Sequence, residues 1–165
     1  MKDLAIFGIS ALASLVSSVI AGFYLWPRLR AMNSALVLLV APHMFLRFIG
    51  LGFLVPGVVS ASLPAGLAVP AACGDLVAGI LAIVAVVALL QRVPWAIGAV
   101  WVFNIWGAAD FLFAYYQGLG VHLHPGDLGP AFFIPTTLVP PLLVTHALIF
   151  GLLVRARRQH VAGNL

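Results

Sequence analysis

Residues 71–90 read AACGDLVAGILAIVAVVALL, and Gln91-Arg92 ends the run. One charged side chain, Asp75, interrupts a segment that is otherwise small or aliphatic. A helix needs about 20 predominantly apolar residues to cross the hydrocarbon core of a bilayer. This stretch meets that requirement, and the rest of the chain repeats it. Upstream, comparable runs cover residues 4–26, ended by Pro27-Arg28-Leu29-Arg30, and 35–55, with Pro42 inside and Pro56 at the end. Downstream, they cover 95–116 and 131–154, the last followed by Arg155-Ala156-Arg157-Arg158. The expected fold is an all-α polytopic membrane protein, a bundle of five transmembrane helices forming a single membrane domain over 1–165.

Composition agrees with this. Of the 165 residues, 64% are hydrophobic and 7% charged, and the mean hydropathy is +1.17. A soluble domain carries about 25% charged residues, so a water-soluble enzyme or nucleic-acid binder is excluded. The net charge of +4 forms no dense basic face of the kind nucleic acids need. Lys2 is the only lysine and sits at the terminus, which excludes an intramembrane Schiff base. Cys73 is the single cysteine, so neither an internal disulfide nor a cysteine-ligated cluster can form.

Cytoplasmic loops carry an excess of Lys and Arg. Arg28 and Arg30 lie between the first two spans, Arg92 between the third and fourth, and Arg155, Arg157 and Arg158 after the fifth. In a five-span layout these segments share one side. The amino terminus is therefore expected outside and the carboxyl terminus in the cytoplasm, in a plasma membrane or bacterial inner membrane. The first span ends in Tyr24 and Trp26 before its arginines, an interfacial anchor, and reads as a retained span and not a cleaved signal. It also carries Ser10, Ser14, Ser18 and Gly22 at four-residue intervals. Small residues so spaced let helices approach closely in lipid, either within the chain or toward a second copy or a partner membrane subunit.

Charges in the hydrocarbon region cost about 2.5–3.5 kcal/mol or more and are usually paired or functional. Arg47, Asp75 and Asp110 lie inside spans. At about 1.5 Å per residue, Arg47 falls near the midplane, Asp110 in the outer half and Asp75 nearer the outer surface. Asp75 shares a helical face with Ala78, Gly79 and Ala82. Arg47 stacks with His43 and Gly50, and Asp110 and Asn104 bracket Gly107 beside Phe103, Trp106 and Phe111. The expected pairing is Arg47 with Asp110, assisted by Asp75 or Asn104. These four residues are the candidate ligand-binding site, an outward polar pocket for a small molecule. The crowding of Pro135, Pro140 and Pro141 beside Thr136 and Thr137 predicts an irregular, inward-turned stretch at 132–141, because carbonyls freed by proline must find partners in lipid.

Two other readings come from the histidines. His43 and His146 reach nearly the same depth on different helices, as the axial ligands of a bis-His haem b would. His122 and His124, with Asp127 returning through Pro125-Gly126, form a weak metal-ligand set in the outer loop. Neither a nucleotide-binding loop nor a nucleophile–base–orienter arrangement is present. The primary expectation is a non-enzymatic ligand-binding or accessory subunit without a cofactor. The alternatives are a haem b electron-transfer protein and a proton-coupled solute transporter using the same carboxylates.

Overall fold

The computed structural model of the chain describes residues 2–121 and 123–162. Over these residues it is helical, with no strand. Helix α1 runs Lys2–Leu29, and α2 (Ala35–Val40) and α3 (His43–Leu46) continue into a 3-10 segment, Arg47–Leu54. Helix α4 is Ala65–Leu90 and α5 is Ala96–Gly120. A 3-10 segment, Pro125–Phe132, and a π-helical turn, Ile134–Leu138, lead into α6, Val139–Ala162. Counting Ala35–Leu54 as one unit, five helices are long and apolar enough to cross a membrane.

The elements differ from the hydropathy runs where proline acts on the backbone. Helix α4 begins at Ala65, directly after Pro64, so Pro70 lies inside it and not in the preceding connection. Pro70 has no N–H for the carbonyl four residues back. That carbonyl, on Gly66, instead accepts from Nε2 of Gln117 at 3.2 Å. The second span breaks at Ala41-Pro42, between α2 and α3, and then tightens. In a 3-10 helix, side chains three apart eclipse, which sets Gly50 directly beyond Arg47.

The start of the fifth span is irregular, as the prolines predict. In a π-helical turn each carbonyl looks five residues ahead. For Pro135 that residue is Pro140, so the carbonyl is free, and the Tyr115 hydroxyl donates to it at 2.5 Å. The Thr137 carbonyl, in the same turn, accepts from Ser14 Oγ at 3.3 Å. Thr136, fully buried, donates to Phe132 O at 2.7 Å. Pro140 and Pro141 sit in the first turn of α6, where a missing N–H does least harm.

The small residues of α4 are its packing face: Ala78, Ala82 and Ala85 are fully buried. One apolar cluster joins Leu39, Val40, Ala82, Val100, Phe103, Ile149 and Leu153. A second joins Phe111, Ala131, Ile134, Val139 and Leu142. The Ser10/Ser14/Ser18/Gly22 stripe is the face that α1 turns toward the rest of the chain. A side chain at Gly22 would meet Val144 and Leu148 of α6. Its opposite face, with Leu12, Val16 and Phe23, is exposed. The structure thus assigns the stripe to packing within the chain.

Candidate functional site

Arg47 is 1% exposed at the centre of the bundle. Its Nη1 donates to Oδ1 of Asp75 at 2.7 Å and to Oδ2 of Asp110 at 2.9 Å. Its Nη2 donates to the Gly107 carbonyl at 2.6 Å and bonds Nε2 of His146 at 3.0 Å. The guanidinium also lies 3.4 Å from the centroid of the Phe111 ring, a cation–π contact. Only Nε is left without a partner, and it is sealed from solvent. The expected Arg47–Asp110 pair is therefore present, with Asp75 as an equal partner.

Glycines make the approach possible. A Cβ on Gly50 would collide with the Asp75 carboxylate, and one on Gly74 with the Asp110 carboxylate. A Cβ on Gly107 would lie 2.7 Å from both Arg47 Nη2 and a ring carbon of His146. Three helical segments thus carry glycine where a charged or imidazole group of a neighbour must pass.

Asn104 does not reach Arg47. It acts one step away, where its Oδ1 bonds Nδ1 of His146 at 2.7 Å and its Nδ2 donates to the His146 carbonyl at 3.1 Å. His146 is the member of this network that the sequence did not reveal as such. Its ring centroid is 4.6 Å from that of His43, so the structure brings the two histidines together as packing partners. His43 Nε2 donates at 2.8 Å to the Thr145 hydroxyl, which itself donates to Leu142 O at 2.7 Å. The Nε2 atoms of both rings are engaged by side chains. Trp106, expected among the lining aromatics, instead points outward at 46% exposure, with its indole N–H donating to Gly74 O at 3.2 Å.

Above the ion network lies a cavity of about 200 Å³. Asp75 and Asp110 form its polar end, beside Phe111. Its walls are apolar and come from every span: Phe7 of α1, Phe53 of the second span, Ala71 of α4, Ala114 and Tyr115 of α5, and Ile134 of the π-helical turn. Each carboxylate gives one oxygen to Arg47. The second oxygens, Asp75 Oδ2 and Asp110 Oδ1, have no hydrogen-bond donor among the described residues, and neither is among the sealed unpartnered atoms.

Of His122, His124 and Asp127, the hydrogen bonds seen are those of Asp127. Asp127 Oδ1 accepts from Ser62 Oγ at 2.6 Å, and its carbonyl accepts from Ser60 N at 2.9 Å. These bonds tie the 125–132 segment to the connection before α4. His124 is exposed, and His122 lies outside the described residues.

The family described as Domain of unknown function (DUF8737) matches residues 6–154, and the chain belongs to that family. No curated protein and no solved structure matches the chain.

Proposed function

We propose that this member of the DUF8737 family is a multi-pass protein of a plasma membrane or bacterial inner membrane, with its amino terminus outside and its carboxyl terminus in the cytoplasm. Its role is that of a non-enzymatic ligand-binding or accessory subunit, and its site is the cavity closed at one end by Asp75 and Asp110. Five long apolar helices support the membrane reading. So do the exposed faces of Leu12, Phe23, Leu112 and Leu119, which water would not tolerate as a contiguous surface. The arginines at 28, 30, 92, 155, 157 and 158 support the orientation.

One observation carries the binding reading: a concave apolar chamber ends on carboxylates that are held rigidly from below and retain free oxygens. Small-molecule sites combine apolar walls with a few well-placed polar groups in this way. In this reading Arg47 positions the two carboxylates, and Asn104 acts through His146 to position Arg47.

Two experiments test the proposal. Orientation is read in intact cells, with Cys73 replaced by Ser and single cysteines introduced at Gly126 or Arg157. A membrane-impermeant maleimide is expected to label the first and spare the second, and the reverse pattern overturns the orientation. Ligand binding is read by native mass spectrometry of the chain released from mild detergent. Ala114→Phe, which fills the chamber, is expected to abolish a small-molecule adduct present on the unmodified chain. Equal adducts on both would remove the cavity as the site.

A further inference from the structure

The hydrogen-bond inventory of the ion network restricts what can enter the chamber. Arg47 carries five N–H donors. Four are committed to Asp75, Asp110, the Gly107 carbonyl and His146, and the fifth, on Nε, is sealed from solvent. The guanidinium therefore has nothing to offer an incoming group. The polar side chains lining the chamber are the carboxylates of Asp75 and Asp110, which ionised are acceptors only and whose second oxygens pass Gly50 and Gly74. Asp75 is 6% exposed, so it is a buried carboxylate beside an apolar space and not a solvated surface one. With both carboxylates ionised, one guanidinium faces two carboxylates, and +1 − 2 leaves the network at −1. A group of that charge in a low-dielectric setting favours neutralisation from the chamber side.

The walls complete the specification. Phe7, Phe53, Phe111 and Tyr115 present aromatic surface, and apart from Asp75 and Asp110 the rest of the lining is aliphatic, glycine or proline. A chamber of about 200 Å³ is of the order that a small organic molecule fills. Resting on the reading of this cavity as the ligand site, we propose that it takes a small protonated amine with an apolar or aromatic body. The ammonium donates to the Asp75 and Asp110 carboxylates while the body lies along Phe7, Phe53 and Ala114. Anions of the same shape are rejected, because they find two carboxylates and no free donor.

The probes are three molecules of one shape: phenethylamine, 2-phenylethanol and 3-phenylpropionate. Binding to the full chain in mild detergent is measured by equilibrium dialysis at neutral pH. The amine is expected to bind saturably, the alcohol at least about tenfold more weakly, as befits loss of a charge-assisted contact, and the anion not at all. Asp110→Asn leaves Arg47 its Asp75 partner and is expected to weaken the amine by about tenfold or more, with little effect on the alcohol. Ala114→Phe is expected to exclude both. If the alcohol or the anion binds as tightly as the amine, the ligand class is wrong, whereas sensitivity to Ala114→Phe would still uphold the cavity as a site. If amine binding is indifferent to Ala114→Phe, or no probe binds, both the amine assignment and the cavity reading fall. The comparison among probes on the unmodified chain requires no variant to fold.

Discussion

His146 receives a hydrogen bond from Arg47, Nη2 to Nε2, at 3.0 Å. A guanidinium has donors and no acceptor, so Nε2 of His146 must present its lone pair. The ring proton then resides on Nδ1 and points at Oδ1 of Asn104, 2.7 Å away. The Asn104 amide orientation agrees, because its Nδ2 donates to the His146 carbonyl. Donation thus runs outward from Arg47, on one side through His146 to Asn104 and on the other to the two carboxylates.

The tautomer is directly measurable. In ¹⁵N spectra of histidine-labelled protein, His146 is expected as a neutral ring protonated at Nδ1. A signal for Nε2–H would contradict this direction of donation. His146→Phe is expected to cost about 1–3 kcal/mol, since it leaves one Arg47 donor and Oδ1 of Asn104 buried without partners. Combined with Asn104→Ala the loss is expected to fall short of the sum, because both changes remove the same bond. A thermal-melt double-mutant cycle in detergent reads this coupling.

Arg47→Ala strands Asp75 and Asp110, and breaking a buried ionic network costs about 3–5 kcal/mol. Arg47→Lys is expected to rescue little, because a single ammonium cannot reach four acceptors spread over three helices. Arg92 is the contrasting case. It lies exposed in the connection between α4 and α5 at φ 53°, a conformation that favours glycine. Arg92→Gly is expected to be neutral or stabilising by up to about 1 kcal/mol. Equal melting of Arg47→Ala and Arg92→Ala would refute the ion network.

Gly74→Ala and Gly107→Ala place a methyl against the Asp110 carboxylate and the Arg47–His146 contact. Overpacking of this kind costs about 1–3 kcal/mol. By contrast, Gly8 and Gly98 meet nothing within 4 Å. There alanine is expected to stabilise the helix by about 0.5–1 kcal/mol. The two pairs should shift melting in opposite directions.

Tyr115→Phe removes the donor to the Pro135 carbonyl and is expected to cost about 0.5–1.5 kcal/mol. The cost should shrink when Pro140→Ala is introduced as well, since residue 140 then supplies an N–H for that carbonyl. An undiminished cost in the double variant would show that proline is not what leaves Pro135 O open.

Much of the architecture is written in local chemistry. Hydropathy is a sum over neighbouring residues, so runs such as Leu76–Leu90 declare a long apolar helix without reference to the rest of the chain. Helical spacing likewise put Asp75 on the face of Ala78 and Ala82, and Arg47 on the face of His43 and Gly50, and all six are buried. Proline chemistry foretold the irregular entry to α6. Helix spacing, however, reports the direction of a side chain and not its partner. That Arg47 divides Nη1 between Asp75 and Asp110, that His146 serves as an acceptor and that Ser14 faces inward to Thr137 depend on how the helices are rotated against each other. The rotation is set by glycine gaps at 50, 74 and 107, whose effect is visible only with the neighbouring helix in place. The chamber over the carboxylates was decided in the same way, by five spans diverging around a polar group that none of them could enclose alone.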